Sequence, residues 1–151
     1  MEEISFYTEN TEFPSFFSEK RLVDWFHAIS RTYNVQFEEI SFIFCNDDYI
    51  LKMNQDYLQH DYYTDIITFD NSNGSKLSGD MFISLDTVLS NSEEYKVTYE
   101  DEFYRVVCHG LLHLIGFKDK TDKDAKLMRI EEEKCLNLLH AIRNYDFVAE
   151  I

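Results

Sequence analysis

HGLLHLIGFKD, residues 109–119, decides how the rest of the chain is read, because its two histidines are spaced for one face of a helix. At about 3.6 residues per turn, side chains four positions apart leave a helix one above the other. His109 and His113 therefore direct both imidazoles toward a common point. Gly116 accepts positive φ without a Cβ clash, so it can end the helix and fold the following residues back toward the imidazoles. Asp119 is the first potential ligand after that bend.

The spacing His-x-x-x-His-x-x-Gly-x-x-Asp reproduces the metzincin pattern, with Asp119 where that pattern has a third histidine. Carboxylate oxygen binds zinc at about the same distance as imidazole nitrogen, so His109, His113 and Asp119 can hold one zinc ion per chain. Three protein ligands leave a fourth tetrahedral position for water, whose pKa a bound zinc lowers from about 15.7 to about 7. The competing reading is a pair of histidines on the seam of an amphipathic helix, hydrogen-bonded inside the core.

Working outward, Thr98 with Asp101 three residues on forms the acidic version of a capping box and starts the helix that carries the histidines. Phe103, Val106, Val107, Gly110, Leu111 and Leu114 make its buried face. A last helix follows, capped by Thr121 or Asp122, with Leu127, Met128, Ile130, Cys135, Leu138 and Leu139 inward. Toward the N-terminus, Ile4–Tyr7 reads as a short strand. Ser18 caps a helix to about Tyr33 that buries Leu22, Trp25, Phe26 and Ile29. Phe37–Cys45 alternates as a strand with Ile40, Phe42 and Phe44 on one side, and Asp47 and Asp48 open a helix ending near Leu58. Asp65–Phe69 and Asp80–Leu85 are two further strands joined by a turn-forming stretch around Asn73-Gly74, and Asp86 begins a short helix. The expectation is a single α+β domain over residues 1–151: a small mixed sheet covered by helices, zincin-like, with the metal-binding helix central.

The composition narrows the function classes. Of 151 residues, 44% are hydrophobic and 16% aromatic, which suits a globular core, and no apolar run is long enough to span a membrane. The acidic N-terminus lacks a signal-peptide layout, so a cytoplasmic location is expected. Cys45, Cys108 and Cys135 are too few and too scattered for a zinc ribbon and read as reduced packing residues. A formal charge of −15 opposes generic binding to polyanions. There is a local exception, since six of the fourteen basic residues (Lys118, Lys120, Lys123, Lys126, Arg129 and Lys134) fall just after the metal motif. Interleaved with Asp119, Asp122, Asp124 and Glu131–Glu133, they read first as a solvated helix face with mutual salt bridges. The alternative is a phosphate-steering strip.

Gly110 occupies the position where the H-E-x-x-H peptidases have their general base. Without it, a metal could still polarise a phosphoryl oxygen or activate water for phosphodiester cleavage, so peptide hydrolysis is the weaker use of the pattern.

His109, Gly110, Leu112, His113, Leu114 and Gly116 resemble the H-G-x-L-H-L-x-G-[YF] signature of the YbeY family of metal-dependent endoribonucleases. A second block agrees: Asn54, Tyr57, Asp61, Thr64, Asp65 and Phe69 resemble that family's N-x-x-Y-R…T-D-V-L-S-F segment. Gly79, Asp80, Ile83 and Ser84 resemble its G-D-I-x-I-S strand, and Met128 and Glu132 fit its last helix. The resemblance spans about residues 40–135. It implies a zinc-dependent, single-strand-specific endoribonuclease that acts in 16S ribosomal RNA 3′-end maturation and ribosome quality control, with single-stranded ribosomal RNA as substrate and the small ribosomal subunit or its basic proteins as partners.

Two positions depart from the family pattern. Its third histidine is here Asp119, after Lys118 in place of an acidic residue, and its arginine after the tyrosine is Leu58. Leucine cannot hold a phosphate, so Arg105, His60 and Lys118 are the candidate replacements, with Arg105 taken as catalytic beside the two histidines. Tyr57, Tyr62 and Tyr63 offer faces on which unpaired bases could stack. Asp65 reads either as a strand-edge residue or as a substrate-binding carboxylate near the metal, and Ser84 as a solvent-facing or sheet-edge residue. Two rival functions stay open: a zincin-type peptidase, and a ribosome-associated assembly factor whose metal is structural.

Overall fold

The computed structural model describes residues 2–58 and 64–149, the side chains only as far as residue 142. The elements follow one another as β1 (Glu3–Glu9), α1 (Glu19–Tyr33), β2 (Gln36–Cys45), α2 (Asp47–Leu58), β3 (Ile66–Asp70), β4 (Lys76–Ser84), α3 (Leu85–Tyr95), α4 (Tyr99–Ile115) and α5 (Asp122–Ala149). This is an α+β fold with a four-stranded sheet in the order β1-β2-β4-β3. β1, β2 and β4 run parallel, and β3 pairs antiparallel to β4 at the edge. The two parallel pairings need crossovers, which the intervening helices supply.

The alternation along β2 sends Ile40, Phe42 and Phe44 to one face, where all three are buried. Leu22, Trp25, Phe26 and Ile29 of α1 pack into the same cluster, joined by Phe103, Val106, Val107 and Leu111 of α4. Aromatic rings fill much of it: Phe6 stacks on Phe42 with centroids 5.9 Å apart, and Phe44 lies 5.2 Å from Phe103. The Trp25 indole N–H donates to the Cys135 carbonyl at 2.7 Å, tying α1 to α5 with the one polar atom of a fully buried ring. All three cysteines are buried and free.

Several expectations are corrected. β4 begins at Lys76 rather than Asp80, because the chain closes the Asn73-Gly74 turn at once through an Asn73–Lys76 bridge and then pairs with β2 from Gln36 onward. Ser84 is neither exposed nor at a sheet edge. It ends an interior strand fully buried, caps α3 by accepting from Thr87 N, and donates to Asp47 Oδ1 at 2.5 Å. On α5, whose first turn is capped by Thr121 Oγ1 accepting from Asp124 N, Met128, Cys135 and Leu139 face inward, but Leu127 and Ile130 are exposed. Glu131 and Glu132 take the buried positions instead. The expected salt-bridge ladder along residues 118–134 is also missing: among the described residues only Lys134 of the six basic ones forms an ion pair, with Glu131. No helix among them is long and apolar enough to cross a membrane.

Candidate active site

α4 brings the two histidines together because both of its ends are fixed. Thr98 Oγ1 accepts from Asp101 N at 3.1 Å, three acidic residues occupy the first turn, and Gly116 closes the helix at φ +125°. Gly116 N donates to Leu112 and His113 carbonyls, and Phe117 N reaches back to Leu112 O at 3.0 Å, a Schellman-type closure that satisfies the last carbonyls. The chain leaving this turn carries Asp119 back alongside the helix.

His109 Nε2 and His113 Nε2 face each other at 3.1 Å, and His109 Nε2 lies 3.8 Å from Asp119 Oδ2. A tetrahedral zinc with bonds of about 2.0–2.1 Å spaces its donors by about 3.3 Å, a value between the two measured edges. Among the described residues no three or more His, Cys, Asp or Glu side chains already form a metal-binding group. The longer measured edge is the one to Asp119, whose side chain is 41% exposed on its loop. Moving its oxygen inward by about half an ångström matches that edge to the tetrahedral spacing.

The imidazoles are held from behind. His109 Nδ1 hydrogen-bonds Glu132 Oε2 at 2.6 Å, which leaves Nε2 as the nitrogen with a free lone pair when Nδ1 carries the proton. Burial of His113, aided by the charge of His109, lowers its pKa below the ordinary histidine value and favours the neutral ring a metal needs.

Glu132 also meets Arg105, whose Nη1 lies 3.4 Å from Oε2, while Arg105 Nε and Nη2 grip the two oxygens of Glu102 at 2.8 and 2.6 Å. Asp65 Oδ2 stands 3.8 Å from Nη2. Burial works against the charge on Arg105, but its hydrogen bond to Glu102, with the charges of Glu102, Glu132 and Asp65, outweighs that and raises its pKa above the usual arginine value. Burial raises the Asp65 pKa, with Arg105 and His109 opposing it. Arg105, read from the sequence as catalytic, thus has its guanidinium occupied by protein carboxylates.

The two histidines open into a cleft of about 520 Å³ between the end of α2, β3 and α4, lined by Asn54, Leu58, Asp65, His109, His113 and Asp119 among others. Asp65 therefore shares the cleft with the histidines. Tyr57 is exposed next to it, edge-on to Phe69 with centroids 6.3 Å apart, and Lys118 is exposed on the loop before Asp119. His60, Tyr62 and Tyr63 lie outside the described residues. Glu102 was not legible as a site residue at all. The role of Glu132 behind His109 had one signal, its place in the family's last-helix pattern.

The family model described as Endoribonuclease YbeY matches residues 3–140. The chain is 49% identical over 140 residues to the "Endoribonuclease YbeY" of Porphyromonas gingivalis, covering 92% of this chain and 91% of that protein. It is 46% identical over 133 residues to the protein of the same name from Bacteroides fragilis, covering 88% and 95%. Among solved structures, the solution structure of TM1509 from Thermotoga maritima superimposes with a TM-score of 0.63 at 23% identity, over 95% of this chain and 93% of that one, a likeness of fold.

Proposed function

The chain belongs to the YbeY family of endoribonucleases, and from that membership we propose that it is a zinc-dependent, zincin-like endoribonuclease that cleaves single-stranded RNA in the maturation of small-subunit ribosomal RNA and in ribosome quality control. The observation that supports the metal-dependent part is that His109 Nε2 lies 3.1 Å from His113 Nε2 and 3.8 Å from Asp119 Oδ2, with all three residues lining one open cleft.

In this reading His109, His113 and Asp119 hold one zinc ion. The bound ion would supply a water acidified toward neutral pH and a Lewis acid for the scissile phosphate. Glu132 fixes the Nδ1–H tautomer of His109 and so aims its Nε2. Arg105 is a positioning residue that neutralises Glu102 and Glu132 and holds the latter against the ring. Asp65, with a carboxyl raised by burial, is the group in the same cleft suited to take up a proton. Tyr57 and Lys118 flank the cleft as contacts for an unpaired base and a phosphate.

The absence of a glutamate after His109 counts against a peptidase. The test is to incubate the zinc-loaded protein with unstructured RNA and with casein, each with and without chelator. RNA cleavage abolished by chelator, with casein untouched, is the expected result. Casein cleavage, or RNA cleavage indifferent to chelator, contradicts the reading.

A further inference from the structure

Beyond the cleft, a small recess of about 70 Å³ opens on the α5 side of His109. Arg105, His109, Asp119, Met128, Arg129 and Glu132 line it. Two arginines thus share this recess with His109, and they differ in whether the protein holds them. Arg105 is held by Glu102 and Glu132, so turning it to a substrate would take the cation away from two buried carboxylates and leave Glu132 only its bond to His109. Arg129 is exposed on the second turn of α5 and, among the described residues, makes no hydrogen bond or ion pair. Leu58 lines the cleft and, being apolar, cannot bind an anion.

The charge around Arg129 strengthens the contrast. Residues 118–129 hold five basic and three acidic side chains in a chain whose formal charge is −15. The five basic ones are free of ion pairs among the described residues, and one of the acidic ones, Asp119, faces His109. A polyanion approaching an otherwise repulsive surface meets net positive charge here.

We infer that Arg129 is a substrate-binding residue of this site, contacting an RNA phosphate beside His109 and Asp119. The inference rests on the RNA-cleaving reading above and adds a residue and a direction of approach to it: the strand passes along the start of α5.

The test is fluorescence anisotropy with a fluorescein-labelled 2′-O-methyl oligouridylate and the zinc-loaded full chain over a series of salt concentrations, the probe being checked as intact on a denaturing gel. Arg129→Ala is expected to weaken binding severalfold and to make the log K against log salt slope shallower by about 0.7, the loss of one phosphate contact on a single strand. Arg129→Lys is expected to retain the slope. An unchanged affinity and slope in Arg129→Ala overturns the inference, as does loss of bound zinc without loss of RNA affinity, which would make Arg129 a support for Asp119. If the arginine dependence holds but wild type leaves unmodified RNA intact, the hydrolytic reading fails and the contact stands. A wild type that does not bind the probe ends both.

Discussion

Glu132 Oε2 lies 2.6 Å from His109 Nδ1, on the side of the ring opposite the nitrogen that faces His113. A carboxylate there raises the basicity of the ligand and prevents the ring from rotating. Glu132→Gln keeps the shape and removes the charge, so zinc affinity is expected to fall by about 10–100-fold in competition with a chromophoric chelator. An affinity equal to wild type would show that Glu132 does not serve the metal.

Arg105 gives a separate prediction because its guanidinium is partnered inside the protein. Arg105→Met leaves Glu102 and Glu132 buried without their cation, and such a loss costs about 3–5 kcal/mol. Urea unfolding should show a lower midpoint with an unchanged slope. Wild-type stability combined with lost RNA affinity would instead make Arg105 a direct substrate contact.

What could be read from the sequence divides along physical lines. The α4 boundaries were legible because Thr98 and Gly116 act on their own neighbours, and the β2 face because alternation is a local pattern. The burial of Ser84 was not, since its acceptor, Asp47, is 37 residues away and is brought near only by the sheet. Leu127 and Ile130 look like core on apolarity alone, yet the inward positions of that helix are taken by Glu131 and Glu132, whose partners Tyr33, Arg105 and His109 come from other helices. The ligand spacing of the candidate site stood in one short segment. Its supporting carboxylates were dispersed over α4 and α5.

Two glycines should respond differently to alanine. A Cβ at Gly79 would meet the Phe69 carbonyl oxygen at 2.8 Å and Leu114 Cδ2 at 2.9 Å, whereas one at Gly110 would meet Ile66 Cδ1 at 2.8 Å and Met81 Cγ at 3.0 Å. The first contact includes backbone of the paired strand, which cannot rotate away. The second involves side chains, and the change also gains about 1 kcal/mol of helix propensity. Gly79→Ala is therefore expected to lose more stability than Gly110→Ala, with overpacking of about 1–3 kcal/mol as the scale. Thermal unfolding of both variants checks the order, and the reverse order would contradict the packing described.

Asp119 is a harder donor than the histidine of the family pattern. Asp119→His should retain one metal per chain while raising the preference for zinc over manganese and magnesium above that of the wild type. Equal metal content with unchanged preference would put the carboxylate outside the coordination shell.

The central claim is that one zinc ion, held at the point where two imidazoles and a carboxylate converge, is needed to cut RNA. It is tested most directly by stripping the purified chain with chelator and titrating zinc back while following cleavage of a labelled single-stranded RNA, with His109→Ala in parallel. The account predicts activity that is absent in the stripped protein, rises linearly to one equivalent of zinc, and never returns in the variant. Cleavage by the stripped protein, or the same zinc-dependent cleavage by His109→Ala, would contradict it.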